Sequence, residues 1–209
     1  MTLPRVHAVT DAQVLAQPGF LDQARQVATL GDRVAIHLRD RTATGRALSD
    51  HAVLLRDALR GSGTALIVNA RPDIAAAVSA DGVQLGGGDL GVADARRVLW
   101  RGWVGRSVHS LGEARSATDE GADFLLAGTI FTSASHPGAP ARGLGFINEL
   151  TSVGAPVVAI GGVTPERAAE VRAAGAWGVA AIRSIWSASD PARAVQLMLE
   201  QWEEQWEEQ

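Results

Sequence analysis

Short apolar runs rich in β-branched residues alternate along this chain with longer Ala/Leu/Arg segments whose apolar positions recur every three to four residues. The first pattern is that of buried parallel strands, the second that of amphipathic helices packed on them. Strands are predicted near Val6–Thr10, Val34–Leu38, Ala65–Asn69, Gly82–Leu85, Val104–Ser107, Phe124–Gly128, Val157–Ile160 and Gly178–Ile182. Helices are predicted near Gly19–Leu30, Ser49–Arg60, Pro72–Val78, Val92–Leu99, Ser110–Glu120, Leu144–Leu150, Pro165–Ala174 and Pro191–Gln205. A strand–helix alternation of that length predicts an α/β fold, a single (β/α)8 TIM barrel over residues 1–209. A doubly wound open sheet is the alternative, but such sheets stop at about five or six strands.

Local signals sharpen several helix starts. Ser110 stands three residues before Glu113, the spacing of a capping box. Thr164-Pro165 and Asp190-Pro191 each place a capping residue before a proline at the first helical position. At the C-terminus a four-residue repeat puts Trp202 and Trp206 on one helical face. A frayed end near residues 201–209 is the plainer reading of that tail, and a docking surface for another subunit the sharper one.

Composition narrows the chemistry. All 19 basic residues are arginine, and the chain has no lysine, tyrosine or cysteine. Schiff-base, phenol and thiolate catalysis are thereby excluded, as are disulfides and cysteine-ligated metals. A net charge of −4 disfavours a nucleic-acid partner. No apolar stretch spans a membrane and no secretory leader stands at the start, so a cytoplasmic location is expected. The protic groups left are five histidines, the carboxylates and the hydroxyls. The histidines form no metal-ligand spacing, and no metal or other cofactor is expected.

Candidate site residues cluster at predicted strand ends, where barrels of this class carry their function. Gly161-Gly162 lies between the seventh strand and the next helix, and Arg183-Ser184 follows the eighth. Together they form a candidate phosphate site; a tight turn alone is the plainer account of the glycines. On strand two, His37, Arg39 and Arg41 share one face by alternation. If that face is the interior, it brings an imidazole and two cations to the mouth, unless Arg39 only closes an Arg–Asp network. Ser107 and His109 share a face of strand five, and His109 is the candidate for proton transfer. Asn69 ends strand three, and Ser133, Ser135 and His136 lie in a hydroxyl-rich loop after strand six. His7 and His51 are read as structural or surface residues.

These residues carry a resemblance. His7-Ala8-Val9-Thr10-Asp11, Ile36-His37-Leu38-Arg39-Asp40-Arg41, Val68-Asn69-Ala70-Arg71-Pro72-Asp73, Ala80-Asp81-Gly82-Val83-Gln84-Leu85, Gly105-Arg106-Ser107-Val108-His109-Ser110 and Ala159-Ile160-Gly161-Gly162-Val163 follow in family order and spacing. Over nearly its whole length the chain resembles the thiamine phosphate synthase/TenI family of small barrels. That family holds two activities. The synthase joins a pyrimidine methyl diphosphate to a thiazole phosphate, with Mg2+ on the leaving pyrophosphate. The tautomerase aromatises a carboxythiazole phosphate by moving a proton, without a metal.

The resemblance implies a site, residue by residue. Synthases have Asn-Asp where this chain has Asn69-Ala70, a lysine where it has His136, and Gln-x-Arg-x-Lys where it has His37-x-Arg39-x-Arg41. Asp89 would be the metal carboxylate only if the chain were a synthase. The strand-five segment resembles the tautomerase version, which makes His109 the proton-transfer residue, with Asp40 as a possible assistant turned to the other face. Arg39, Arg41 and Asn69 would then hold the carboxylate and heterocycle, and Gly162 with the Arg183-Ser184 backbone the phosphate. A thiazole tautomerase is the expected activity and a small thiazole phosphate the expected partner, with a homodimer possible. A divergent synthase using Asp89, Ser133, Ser135 and His136, and a silent phosphate-ester-binding barrel, are the alternatives.

Overall fold

The computed structural model describes residues 2–132 and 140–203. Eight parallel strands close on themselves in chain order: β1 (Val6–Val9), β2 (Val34–Leu38), β3 (Ala65–Asn69), β4 (Gly82–Leu85), β5 (Trp103–Val108), β6 (Phe124–Gly128), β7 (Val157–Ile160) and β8 (Gly178–Ala181), with β8 paired to β1. Closure leaves no sheet edge, and helices cover the outside, so most strand positions are buried on both faces. This is the expected (β/α)8 barrel.

The helices are α1 (Ala12–Leu15), α2 (Phe20–Ala28), α3 (Gly45–Ala58), α4 (Pro72–Ala77), α5 (Val92–Val98), α6 (Leu111–Asp119), α7 (Gly143–Leu150), α8 (Ala168–Ala173), α9 (Arg183–Trp186) and α10 (Pro191–Glu203). Helix α3 begins earlier than the apolar pattern predicts because the Thr44 hydroxyl accepts from the Ala47 N–H at 3.3 Å. The short helices α1 and α9 were not foreseen, each being a single turn inside a βα connection. Helix α9 is seated by Trp186, whose indole N–H donates to the Val9 carbonyl at 3.0 Å and whose ring meets Phe20 edge-on. None of the described helices is long and apolar enough to cross a membrane.

Strand register sorts the interior from the exterior. The pairs His7↔Ala35, Val9↔His37, His37↔Ile67, Asn69↔Gln84, Gly105↔Phe124 and Ser107↔Leu126 run round one layer after another. His7, His37 and Phe124 meet across the barrel, with ring centroids 5.0 and 5.5 Å from His7, so their set faces inward. Gly105 is required there: a Cβ would lie 2.2 Å from Phe124 Cζ and 2.3 Å from Gln84 Oε1.

Candidate active site

The inward set ends at the C-terminal mouth with Arg39, Asn69, Gln84, Ser107 and His109. Strand β5 stops at Val108, so His109 stands just beyond it and is exposed. Its ring is held from one side: Nδ1–H donates to the Gly128 carbonyl at 2.7 Å. A carbonyl only accepts, so in the neutral ring Nε2 carries the lone pair. The backbone is held too. The Glu113 N–H donates to Ser110 Oγ at 3.1 Å, and Glu113 Oε2 accepts from the His109 N–H at 2.7 Å. The expected capping box therefore reaches one residue further back than usual and anchors His109 to α6.

Strand β2 sorts its three candidates by depth. His37 is fully buried, with its Nε2 2.8 Å from Nδ1 of His7, so a ligand at the mouth does not touch it. That corrects the expectation of a substrate-binding imidazole at this position. Arg41 lies beyond the strand, which ends at Leu38, and is exposed on the loop, where alternation no longer dictates direction. Arg39 is the half-buried cation between them. Its backbone is fixed by Thr10, whose hydroxyl accepts from the Arg39 N–H at 2.9 Å and lies 3.2 Å from the Arg39 carbonyl. Its guanidinium has no hydrogen-bond or ion-pair partner among the described residues. Burial, with help from the Arg41 charge, lowers its pKa against the opposing pull of Asp11 and Asp40.

Asp40 builds its own loop. One oxygen, Oδ1, accepts from the Thr42 N–H at 2.8 Å, the Thr42 hydroxyl at 2.7 Å and the Ala43 N–H at 3.1 Å. Burial pushes its pKa up, but these bonds and the nearby His51 outweigh that and hold the carboxyl below its usual range. A carboxylate so held is a poor proton acceptor, and the geometry gives it no place beside His109.

Across the mouth, the Gln84 amide donates to Ser107 Oγ at 3.1 Å and leaves Oε1 buried without a partner. Gln84 and His7 are inward polar residues that the sequence reading did not single out. The β3–β4 register sets Gln84 beside Asn69, a pairing that no sequence signal showed.

The phosphate end is more crowded than the glycine pair suggests. Gly161 and Gly162 have φ of 101° and 64°, which favour glycine. They also press on the loop after β6: an added Cβ would lie 2.6 Å from Thr129 Cγ2 at Gly161 and 2.5 Å from the Thr132 carbonyl at Gly162. The tight turn therefore has its own packing reason. The Ser184 hydroxyl donates to the Val163 carbonyl at 2.7 Å, tying this loop to α9. Arg183 turns sideways, pairing with Asp11 at 2.9 Å and donating to Gln13 Oε1 at 2.7 Å, so its charge is already met by a carboxylate. The N–H groups of Gly162, Val163, Arg183 and Ser184 have no hydrogen-bond partner among the described residues.

Asp89 is exposed, and its Oδ2 accepts from the Gly86 N–H at 2.6 Å. No group of three or more His, Asp or Glu side chains suited to a metal exists among the described residues. Mg2+ takes hard oxygen ligands in octahedral order, and one turn-capping carboxylate does not make a site for it. Ser133, Ser135 and His136 lie outside the described residues.

Fold and site together define a small (β/α)8-barrel enzyme with its polar residues gathered at the C-terminal mouth. The chain belongs to the thiamine monophosphate synthase (TMP-TENI) family, whose model matches residues 6–185. It is 39% identical over 194 residues to a thiamine-phosphate synthase of Chloroflexus aurantiacus, covering 91% of this chain and 88% of that protein. It is 40% identical over 192 residues to one from Methanoculleus marisnigri, covering 90% of each. Among solved structures, the thiamine phosphate pyrophosphorylase of Pyrococcus furiosus superposes with a TM-score of 0.85 at 33% identity over 96% of both chains. A 3-hexulose-6-phosphate synthase, with a TM-score of 0.68 at 19% identity over 94% of this chain and 99% of its own, shares the fold alone.

Proposed function

We propose that this thiamine-biosynthesis barrel is a thiazole tautomerase, which aromatises a carboxythiazole phosphate by proton transfer. The observation that carries the reading is His109: exposed at the mouth, with Nδ1–H fixed on Gly128 and Nε2 left as the base. In the step, His109 Nε2 takes the ring proton, the electron pair of that C–H bond forms the aromatic ring, and a proton is returned to the exocyclic carbon. The proton inventory closes without a co-reactant, and the reaction as proposed draws on no cofactor. Arg39, whose guanidinium has no hydrogen-bond or ion-pair partner among the described residues, suits the substrate carboxylate, and the N–H groups of Gly162, Val163, Arg183 and Ser184, likewise without a partner among them, suit its phosphate.

A second reading is a thiamine phosphate synthase. The names of the relatives favour it: the two thiamine-phosphate synthases and the thiamine phosphate pyrophosphorylase above bear that name or its synonym. Against it stand Ala70, where the resemblance puts the aspartate of the synthases' Asn-Asp pair, and the absence among the described residues of any group of three or more side chains suited to a metal. Loss of diphosphate needs concentrated positive charge, which these residues supply poorly.

One experiment separates the readings. The pure protein is incubated with each substrate set, with Mg2+ or with chelator, and the products are followed. Isomerisation that survives the chelator is expected, and H109N should slow it by about 100-fold or more. Mg2+-dependent formation of thiamine phosphate would overturn the tautomerase reading, as would full turnover by H109N. Binding of the phosphate ester without turnover of either set would leave the silent barrel.

A further inference from the structure

Two polar side chains inside the barrel take part in no step of the proposed reaction. His7 and His37 are fully buried beneath the mouth, against Phe124. Their hydrogen bonds have a forced direction. The Pro4 carbonyl only accepts, so His7 Nε2, 3.1 Å away, must carry a proton. Burial pushes the His7 pKa down to about 4 and holds that of His37 well below its ordinary value, the more so because two neighbouring imidazoles cannot both take a proton without repulsion. Both rings are therefore neutral near pH 7, with one N–H each. His7 Nδ1 is then a lone pair, and it accepts from His37 Nε2–H at 2.8 Å. His37 Nδ1 is left as a lone pair too, buried and unpaired.

The Asn69 side chain is the hydrogen-bonding neighbour of His37 and works to raise its pKa, and its Oδ1 is likewise buried without a partner. Two facing acceptors cost free energy, and a neutral His37 offers no proton there. The two ends of a side-chain amide are distinguished by the bonds they make. With Nδ2–H on His37 Nδ1, the chain of bonds runs unbroken from Asn69 through His37 and His7 to Pro4. The Asn69 carbonyl is then turned away from His37. Continuing the register Leu38↔Val68 by one residue sets Arg39 beside Asn69 on the inward face. A carbonyl oxygen is the neutral acceptor that the half-buried Arg39 guanidinium lacks among the described residues.

We propose that His7 and His37 are positioning residues: their one-way hydrogen bonds turn the Asn69 carbonyl to the mouth, where it holds Arg39 in place for the substrate carboxylate. The identity of that anion rests on the carboxythiazole reading; the direction of the bonds does not.

Long-range proton–nitrogen spectra of the full chain with labelled histidine, taken at pH 7, report which ring nitrogens carry protons. Nε2–H is expected on both His7 and His37, and a proton on His37 Nδ1 overturns the proposal. Calorimetric titration then compares a carboxythiazole phosphate with the same thiazole phosphate lacking the carboxylate. H7F removes the acceptor for His37 Nε2–H, and the preference for the carboxylated ligand should fall about tenfold. H7Q should retain it, because glutamine can accept from His37 and donate to Pro4. In an R39Q background, H7F should change the preference no further. Wild-type preference in H7F, or an equal loss in H7Q, overturns the positioning role. A wild type without any preference overturns the carboxythiazole reading and the Arg39 step, while the spectra still decide the direction of the bonds.

Discussion

Ala70 follows Asn69 in the left-handed region, with φ of 64°, a conformation that glycine, asparagine and aspartate adopt more easily than alanine. The sequence showed that a carboxylate is missing there, but not that the backbone is strained, because alanine signals nothing about φ. A70G and A70N should each raise stability by about 0.5–1 kcal/mol, read from the urea midpoint. Unchanged or lower midpoints would mean that Ala70 takes another conformation in solution. His109 was legible because its place after a strand follows from alternation alone. His37 was legible as sharing a face with Arg39 but not as inward or in depth, since parity groups residues by face and gives neither the side nor the distance from the mouth. His7 was read as structural or surface; its interior pairing depends on the β1–β2 register, which joins it to a residue 30 positions away.

The capping box at the start of α6 connects an element's stability to the site. Ser110 Oγ accepts from Glu113 N–H, and Glu113 in turn holds the His109 N–H. S110A should cost about 1 kcal/mol. If His109 is the base, it should also lower turnover more than substrate affinity, because the ring is displaced while the anion clamp remains. Steady-state kinetics beside a thermal melt check this, and loss of stability with unchanged turnover would detach the cap from the chemistry. Caps made the starts of α6 and α10 readable, as at Asp190, whose Oδ1 accepts from the Arg193 N–H at 2.9 Å. Thr164, by contrast, makes no side-chain cap bond, and α8 starts only at Ala168, after a 3-10 turn. The single-turn helices α1 and α9 escaped, since four residues give no period and their support is tertiary, as with Trp186 on Val9.

On the scale of the whole molecule, burying two neutral imidazoles links stability to pH. The unfolded chain binds a proton at His7 near its ordinary value of 6.5, and the folded one only near 4. Between those values the unfolded state holds more protons, so stability is full above about pH 6.5 and falls as the pH drops toward 4. The loss from His7 reaches about 3 kcal/mol, and His37 acts in the same direction. Urea midpoints measured from pH 7 to 4 should therefore fall steeply in the wild type and less steeply in H7Q. Equal slopes would mean that His7 is not buried neutral.

The (β/α)8 barrel was fixed by the alternation of apolar strands with amphipathic helices, and the phosphate-handling family by motifs in order, because both are local or serial properties of a chain. Tertiary structure alone decided which charges remain available at the mouth. Arg183, one of the residues assigned to phosphate, is met by Asp11 across the β8–β1 seam, whereas the Arg39 guanidinium has no ion-pair partner among the described residues. Such partners lie far apart in sequence, and only closure of the barrel brings them together.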